Sequence, residues 1–303
     1  MLGAVPAPMI EPGMRIGRYV VQASLGRGGM GGVWEVADDA GNRYALKSPI
    51  ADVNPMGEVT RRFAREANAL RLLDHPNLVA AIDVFVEAGI LFLVMEKVVG
   101  RSLTRAINEG MPTRRALVFA RQMLDGVGHA HAHDLAHRDI KPDNIILVPM
   151  GSPPSVWERA KIIDFGLVKL MGDAAAAYGA QALTNTGLVV GTPAYMAPEQ
   201  ALGRPVDARA DLYAVGVILF EMLTGRLPFR DPDPQVLLRH HARTPPPRLD
   251  QVASGAPWCT PQLIAVVDAA LVKDPAHRFP NAPTMIAALD DAFYSLDRVN
   301  ELG

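Results

Sequence analysis

Cysteine is almost absent. Cys259 is the one cysteine in 303 residues, so no intramolecular disulfide can form, and a reducing compartment such as the cytoplasm suits the chain. No grouping has the spacing of a zinc site. An excess of positive charge is also missing: 30 Lys and Arg against 32 Asp and Glu leave a formal net charge of -2, which argues against a general nucleic-acid binder. No apolar run reaches the ~20 residues needed to cross a bilayer. The longest candidate, Leu212 to Leu223, is broken only by Gly216 and Glu221. Met1 to Gly13 carries Pro6, Pro8 and Pro12 and lacks the basic start and apolar block of a secretory signal. A chain soluble as given is expected, or the cytoplasmic part of a longer one. With 49% hydrophobic and 20% charged residues, its composition is that of a globular protein with a sizeable core.

Residues 1 to about 15 read as a flexible tail, because proline and glycine oppose regular structure there. A strand-like run from Arg18 to Leu25 then meets a glycine series with G-x-G-x-x-G at Gly26, Gly28 and Gly31. Alone this pattern is as consistent with a tight turn. A dinucleotide fold would need a helix next, to present its N-terminus to a pyrophosphate. Instead Val33 to Ala37 is β-prone, residues 38 to 42 are a turn, and Arg43 to Ser48 is another strand. The predicted unit is strand, glycine loop, strand, turn, strand, a form that lets backbone N–H groups approach phosphates. Val59 to Leu73 has helical spacing at Phe63, Ala67 and Leu70, ending before Pro76. Strands are expected over Leu78 to Val86 and Ile90 to Val94. From Gly100 the pattern turns helical, with Ala116, Phe119, Ala120, Met123, Leu124 and Val127 on one stripe of a helix from Thr113 to His133. His129, His131 and His133 do not share a helix face, so only His129 and His133 are spaced to pair, and an ordinary helix end is expected. Asp134 is expected to tolerate a left-handed turn after that helix.

The stretch with the densest chemistry is His137-Arg138-Asp139-Ile140-Lys141-Pro142-Asp143-Asn144, which enters the apolar run Ile145 to Val148. It resembles the protein-kinase catalytic loop, H-R-D-x-x-x-x-N. Other stations follow in order: the glycines, Tyr44-Ala45-Leu46-Lys47, Glu66, Asp164-Phe165-Gly166, Ala197-Pro198-Glu199 and Arg278. Over about residues 16 to 296 the chain is similar to eukaryotic-like (Hanks-type) Ser/Thr protein kinase catalytic domains. The string Leu25 to Gly31 is close to that of bacterial receptor-type kinases.

The resemblance implies an α+β, bilobal kinase fold: a β-rich N-lobe over 16–95 and a hinge with a helical C-lobe over 96–300. It implies ATP and Mg2+, with Mn2+ as an alternative ion. Asp139 would orient the acceptor hydroxyl and take its proton. Lys141 would meet the γ-phosphate, and lysine there goes with Ser/Thr rather than Tyr specificity. Lys47, held by Glu66, would position the α- and β-phosphates, and Asn144 and Asp164 would bind the metal. Thr192 would support Lys141 and Asp139. Leu25, Gly26, Gly28 and Gly31 would cover the nucleotide. Val33, Ala45 and Ile146 would line the adenine slot, with Met95 as gatekeeper and backbone groups of Glu96 and Val98 pairing with the base. Asp211 would receive backbone donors of the catalytic loop, and Arg278 would pair with Glu199. Arg138 is the candidate regulatory handle for a phosphate on Thr184 or Thr186, added in trans by a second copy of the chain.

The stretch from Asn144 to Asp164 is longer than the family's usual spacing. Residues 149 to 158, rich in proline and glycine, read as a surface insertion in a hairpin, with Trp157 docking on the lobe. Two rival readings are a pseudokinase scaffold and a small-molecule phosphotransferase. The first usually lacks an equivalent of Lys47, Asp139 or Asp164; the second generally lacks the A-P-E segment and Lys141. All are present here. Protein substrates with Ser or Thr acceptors are the expected partners, with no nucleic acid and no membrane segment.

Overall fold

The structure, a computed structural model, describes residues 10–28, 31–48, 70–88, 90–151, 157–164 and 193–301. The chain forms two compact units, the first within 1–99 and 166–178 and the second within 100–165 and 179–303.

The first unit is an antiparallel sheet of six strands: β1 (Arg15–Ile16), β2 (Tyr19–Gly28), β3 (Gly31–Ala37), β4 (Arg43–Ser48), β5 (Ala81–Glu87) and β6 (Ile90–Glu96). Their order across the sheet is β1-β2-β3-β4-β6-β5. The period-2 alternation of strands divides its side chains between two faces. Tyr19, Val21, Trp34, Val36, Leu46, Phe92 and Val94 pack into one core, with Phe85 stacked on Tyr19 and on Phe92 at centroid separations of 6.1 and 5.5 Å. The tail expected over 1–15 does not reach that far. Ile10 is buried in this core, Gly13 N–H donates to Val21 O (2.8 Å), and β1 pairs with β2. Strand β5 starts three residues later than expected, because Leu78 N–H turns back onto His75 O (3.0 Å) at Pro76.

The second unit opens with a small sheet, β7 (Arg101–Ser102), β8 (Ile145–Met150) and β9 (Trp157–Ile162), and continues as helices. These are α1 (Leu103–Asn108), α2 (Thr113–His131), α3 (Pro198–Ala201), α4 (Arg209–Thr224), α5 (Pro234–Arg243), α6 (Leu249–Val252), α7 (Pro261–Ala270) and α8 (Ala282–Glu301). The stripe predicted for α2 is its buried face, and Asp134 after it has φ 59°. Helix α4 is buried nearly all round, as its apolar composition requires. Glu199 and Arg278 form a buried bidentate pair, Nη1 to Oε1 at 2.8 Å and Nη2 to Oε2 at 2.6 Å. The insertion is a hairpin, with β8 and β9 paired from Ile145↔Ile162 to Met150↔Trp157. Trp157 does not dock: it is 75% exposed, because the register carries it past the helices that cover the hairpin's base. Arg101 (3.0 Å) and Arg115 instead hold the neighbouring Glu158.

Gly216 in α4 faces α7 so closely that a Cβ would lie 2.6 Å from Ala270 Cβ. Gly216→Ala is expected to destabilise the chain by about 1–3 kcal/mol, overcoming the gain in helix propensity. Adding Ala270→Gly is expected to restore most of the loss, read from urea midpoints of the single and double variants.

Candidate active site

The first unit contributes one sheet face. Val33 lies opposite Lys47 and Glu35 opposite Ala45, while Ala45 and Lys47 face Met95 and Leu93 on β6. Directly opposed residues share a face, so Val33, Ala45, Lys47 and Met95 lie together, on the side away from the Trp34–Val36–Leu46 core. The glycines form the far end of the β2–β3 hairpin, with Gly26↔Val33 and Gly28↔Gly31 in register. A strand, not a helix, follows them, so the dinucleotide alternative falls. Leu25 is the residue skipped at a register shift between Ser24 and Gly26 and is 48% exposed. Gly26 has no left-handed φ, and a Cβ there would meet nothing within 4 Å. Its lack of a side chain therefore meets no packing need among the described residues. At the end of β6, Glu96 N–H donates to Ala80 O (3.0 Å), and Val98 follows, half-buried.

The second unit holds the charged loop. Asp211, in the first turn of α4, is buried, and its carboxylate accepts three donors: Arg138 N–H at Oδ1 (2.7 Å), and His137 N–H (2.8 Å) and His131 Nε2 (2.9 Å) at Oδ2. Burial raises its pKa, but the hydrogen bonds from His131 and the His137 N–H help to outweigh it, so Asp211 titrates below the usual carboxylate range. Arg138 is left-handed, φ 62°, as is Asp164, φ 65°. For side chains other than glycine that costs free energy which the hydrogen bonds around it offset.

His137 is buried and held neutral, because burial pushes its pKa down against the pull of Asp211. Its tautomer follows from its partners: Nδ1 accepts Asp139 N–H (3.3 Å), so Nε2 carries the hydrogen and donates to Ile163 O (3.1 Å). Ile163 N–H in turn donates to Asn144 O (2.8 Å). The residue before Asp164 is thus bonded to both ends of the catalytic loop, which ties Asp164 to Asp139 and Asn144.

At the loop's centre, Lys141 Nζ donates to Asp139 Oδ2 (2.9 Å). Asn144 Nδ2 donates to Asp139 O (2.9 Å) and to Asp139 Oδ2 (3.3 Å). This turns the Asn144 amide so that its oxygen is the atom left to ligate. Asp143 is exposed and accepts Thr104 Oγ1–H (2.8 Å). Ile146 is half-buried on β8, opposite Ser102 and Lys161. Glu66, Phe165, Gly166, Thr184, Thr186 and Thr192 lie outside the described residues, so the structure brings together Asp139, Lys141, Asn144, Asp164 and Arg138 in one unit and Lys47, Val33, Ala45 and Met95 in the other.

Two contributors were not foreseen. The expected helix end leaves His131 without a partner, and at most His129 and His133 are spaced to meet; their rings lie 4.8 Å apart. His131 instead reaches Asp211. Gln200 Nε2 donates to Arg138 O (2.9 Å) while its Oε1 accepts Ala197 N–H (3.0 Å). The Gln200 position was readable as a helix-capping pattern, three residues past the cap; nothing in the spacing of His131 pointed to a partner so far along the chain.

Comparison with known proteins now places the chain. The protein kinase domain model matches residues 19–290, and the chain belongs to that family. Its relatives are bacterial serine/threonine kinases. It is 38% identical over 302 residues to the serine/threonine-protein kinase Pkn1 of Myxococcus xanthus, covering 97% of this chain and 42% of that protein. It is 36% identical over 293 residues to PrkC of Bacillus subtilis, covering 95% and 42%. The chain therefore spans about two fifths of the length of these curated relatives. The crystal structure of the Mycobacterium tuberculosis PknI kinase domain shares the fold, with a TM-score of 0.70 at 24% identity, covering 93% of this chain and 99% of that one.

A pH dependence follows from the buried imidazoles. His241 on α5, fully buried beside the Tyr213 hydroxyl (3.1 Å), is pushed down from 6.5 to about 3 by burial and then by Lys273. His137 is shifted in the same direction. Both bind a proton more weakly folded than unfolded, so the unfolded chain gains protons first as pH falls below about 6.5. The stability present above that pH is lost on acidification, at no more than about 1.4 kcal/mol per pH unit for each group. Urea midpoints should fall between pH 7.5 and 5, and His241→Gln should flatten that slope.

Proposed function

We propose that this domain transfers the γ-phosphoryl group of ATP to Ser or Thr hydroxyls of protein substrates, and that it phosphorylates its own activation segment. The observation that carries this reading is the Asp139 carboxylate, held between Lys141 and Asn144 on a loop fixed from below by Asp211. Phosphoryl transfer asks mainly for alignment and charge stabilisation, and a carboxylate so constrained is suited to orient a hydroxyl and accept its proton. Lys141 supplies positive charge beside it for the transferring group. Lys47 serves the remaining phosphates from the sheet face.

The chain's residues fit the groups this chemistry needs. Gly26 leaves open space where a phosphate could meet backbone N–H groups. The Glu96–Val98 segment offers backbone to a purine, with Val33, Ala45 and Met95 as apolar lining on the same unit. For the metal, the donors are the Asn144 amide oxygen and the Asp164 carboxylate, hard oxygen ligands suited to Mg2+. Among the described residues no group of three or more His, Cys, Asp or Glu could hold an ion; a Mg2+ site completed by substrate phosphates needs no such cluster. When bound, the ion neutralises charge on the phosphates. In this reading Arg138 answers a phosphate on Thr184 or Thr186, placed there by a second copy of the chain. Its single cysteine and its use of ATP suit a cytosolic setting, and no described helix is long and apolar enough to cross a membrane.

The test is mass spectrometry of the wild-type chain beside Asp139→Asn after incubation with ATP and Mg2+. Phosphate at Thr184 and Thr186 is expected on the wild type alone, and to appear on Asp139→Asn when catalytic amounts of wild type are added. Equal phosphate on both proteins incubated separately would sink the autophosphorylation reading. Transfer to a generic basic protein should fall by about 10²–10⁴-fold in Asp139→Asn.

A further inference from the structure

We infer that Gln200 is a positioning residue for Asp139, transmitting the seating of residues 197–201 to the catalytic loop; this rests on the kinase reading above. The peptide group between Arg138 and Asp139 is held at both of its polar ends. Its N–H, on Asp139, donates to His137 Nδ1 (3.3 Å), and its carbonyl, on Arg138, accepts Gln200 Nε2 (2.9 Å). That plane precedes the Asp139 Cα directly, so its orientation sets where the Asp139 carboxylate points. The residue on its other side, Arg138, is left-handed at φ 62°, a conformation that persists only where the surrounding hydrogen bonds hold it. Asp211 fixes the Arg138 N–H (2.7 Å) but does not touch that carbonyl. Gln200 supplies the side-chain donor there.

Gln200 is itself firmly placed. Its Oε1 accepts Ala197 N–H (3.0 Å), closing the first turn of α3, where Pro198 favours the helix start. Its neighbour Glu199 is bound by both Arg278 nitrogens in the buried pair. The Glu199–Arg278 pair therefore lies one residue from the latch on Asp139. A change in how residues 193–201 seat within the second unit reaches the Asp139 peptide through the Gln200 amide.

Gln200→Glu separates positioning from capping, since its carboxylate still accepts Ala197 N–H but has no hydrogen to give Arg138 O. Gln200→Ala loses both bonds. Purified wild-type and variant chains are assayed with ATP, Mg2+ and myelin basic protein, alongside Tm and hydrogen exchange of the 137–141 backbone. Both variants are expected to lose about tenfold in kcat, equivalent to about 1.4 kcal/mol. KM for ATP should stay within about twofold, the Gln200→Glu Tm within about 2 °C, and amide exchange at Asp139 should quicken. Wild-type kcat and wild-type exchange in Gln200→Glu would overturn the proposal and leave Gln200 a cap alone. So would a loss of kcat that follows Tm or ATP affinity. If the wild type itself transfers no phosphate, the kinase reading fails, and the exchange at Asp139 still decides whether Gln200 holds the loop.

Discussion

The buried carboxylate of Asp211 and the three hydrogen bonds it accepts are the constraint on which the catalytic loop depends. A lone carboxylate at this depth would be strongly penalised by lost hydration. Two of its donors are the consecutive backbone N–H groups of His137 and Arg138, the second of which begins a left-handed residue. The backbone strain and the buried charge thus offset one another. His131 completes the set from α2, so the last turn of that helix, the loop and the start of α4 are fixed as one body.

From this body the reactive groups are placed by short relays. His137 passes the constraint to Ile163, and Ile163 passes it to Asn144, which brings the two oxygen donors proposed for the metal to fixed positions along the chain. The first unit works on a different principle. There the placement of Val33, Ala45, Lys47 and Met95 comes from strand register, and the same alternation that buries Trp34, Val36 and Leu46 turns this set, proposed to face the nucleotide, the other way. A slip of one residue would bury Lys47 and expose the core, so folding and site assembly are selected together.

Much of this was legible in the sequence because it is local. The glycine hairpin, the β4 lysine, the charged loop and the apolar α4 are short patterns whose chemistry lies within a few residues. The Arg278–Glu199 and Asp211 contacts were legible only through the family resemblance, since their partners are far apart in the chain. What escaped was long-range or a matter of register. His131 sat in a helix stripe that gave no hint of Asp211. Trp157 was expected to dock because large aromatics are usually covered, yet six paired residues of hairpin carry it beyond the helices. The start of β5 was read too early because Leu78 and Val79 are apolar, although they are buried in a turn instead of a strand.

The β8–β9 hairpin has a consequence of a different kind. Its base, Ile145 to Leu147 against Ala160 to Ile162, belongs to the core, and Glu158 is pinned there by two arginines. Beyond those pairs the two strands run on to Met150 and Trp157, the ends that the hairpin turn joins. Lengthening such a turn raises the entropy of closing it only logarithmically, about 0.6 kcal/mol for each doubling. Residues 149–158 therefore mark a place where the domain can gain sequence, and with it a new surface, while the catalytic loop a few residues upstream stays as it is.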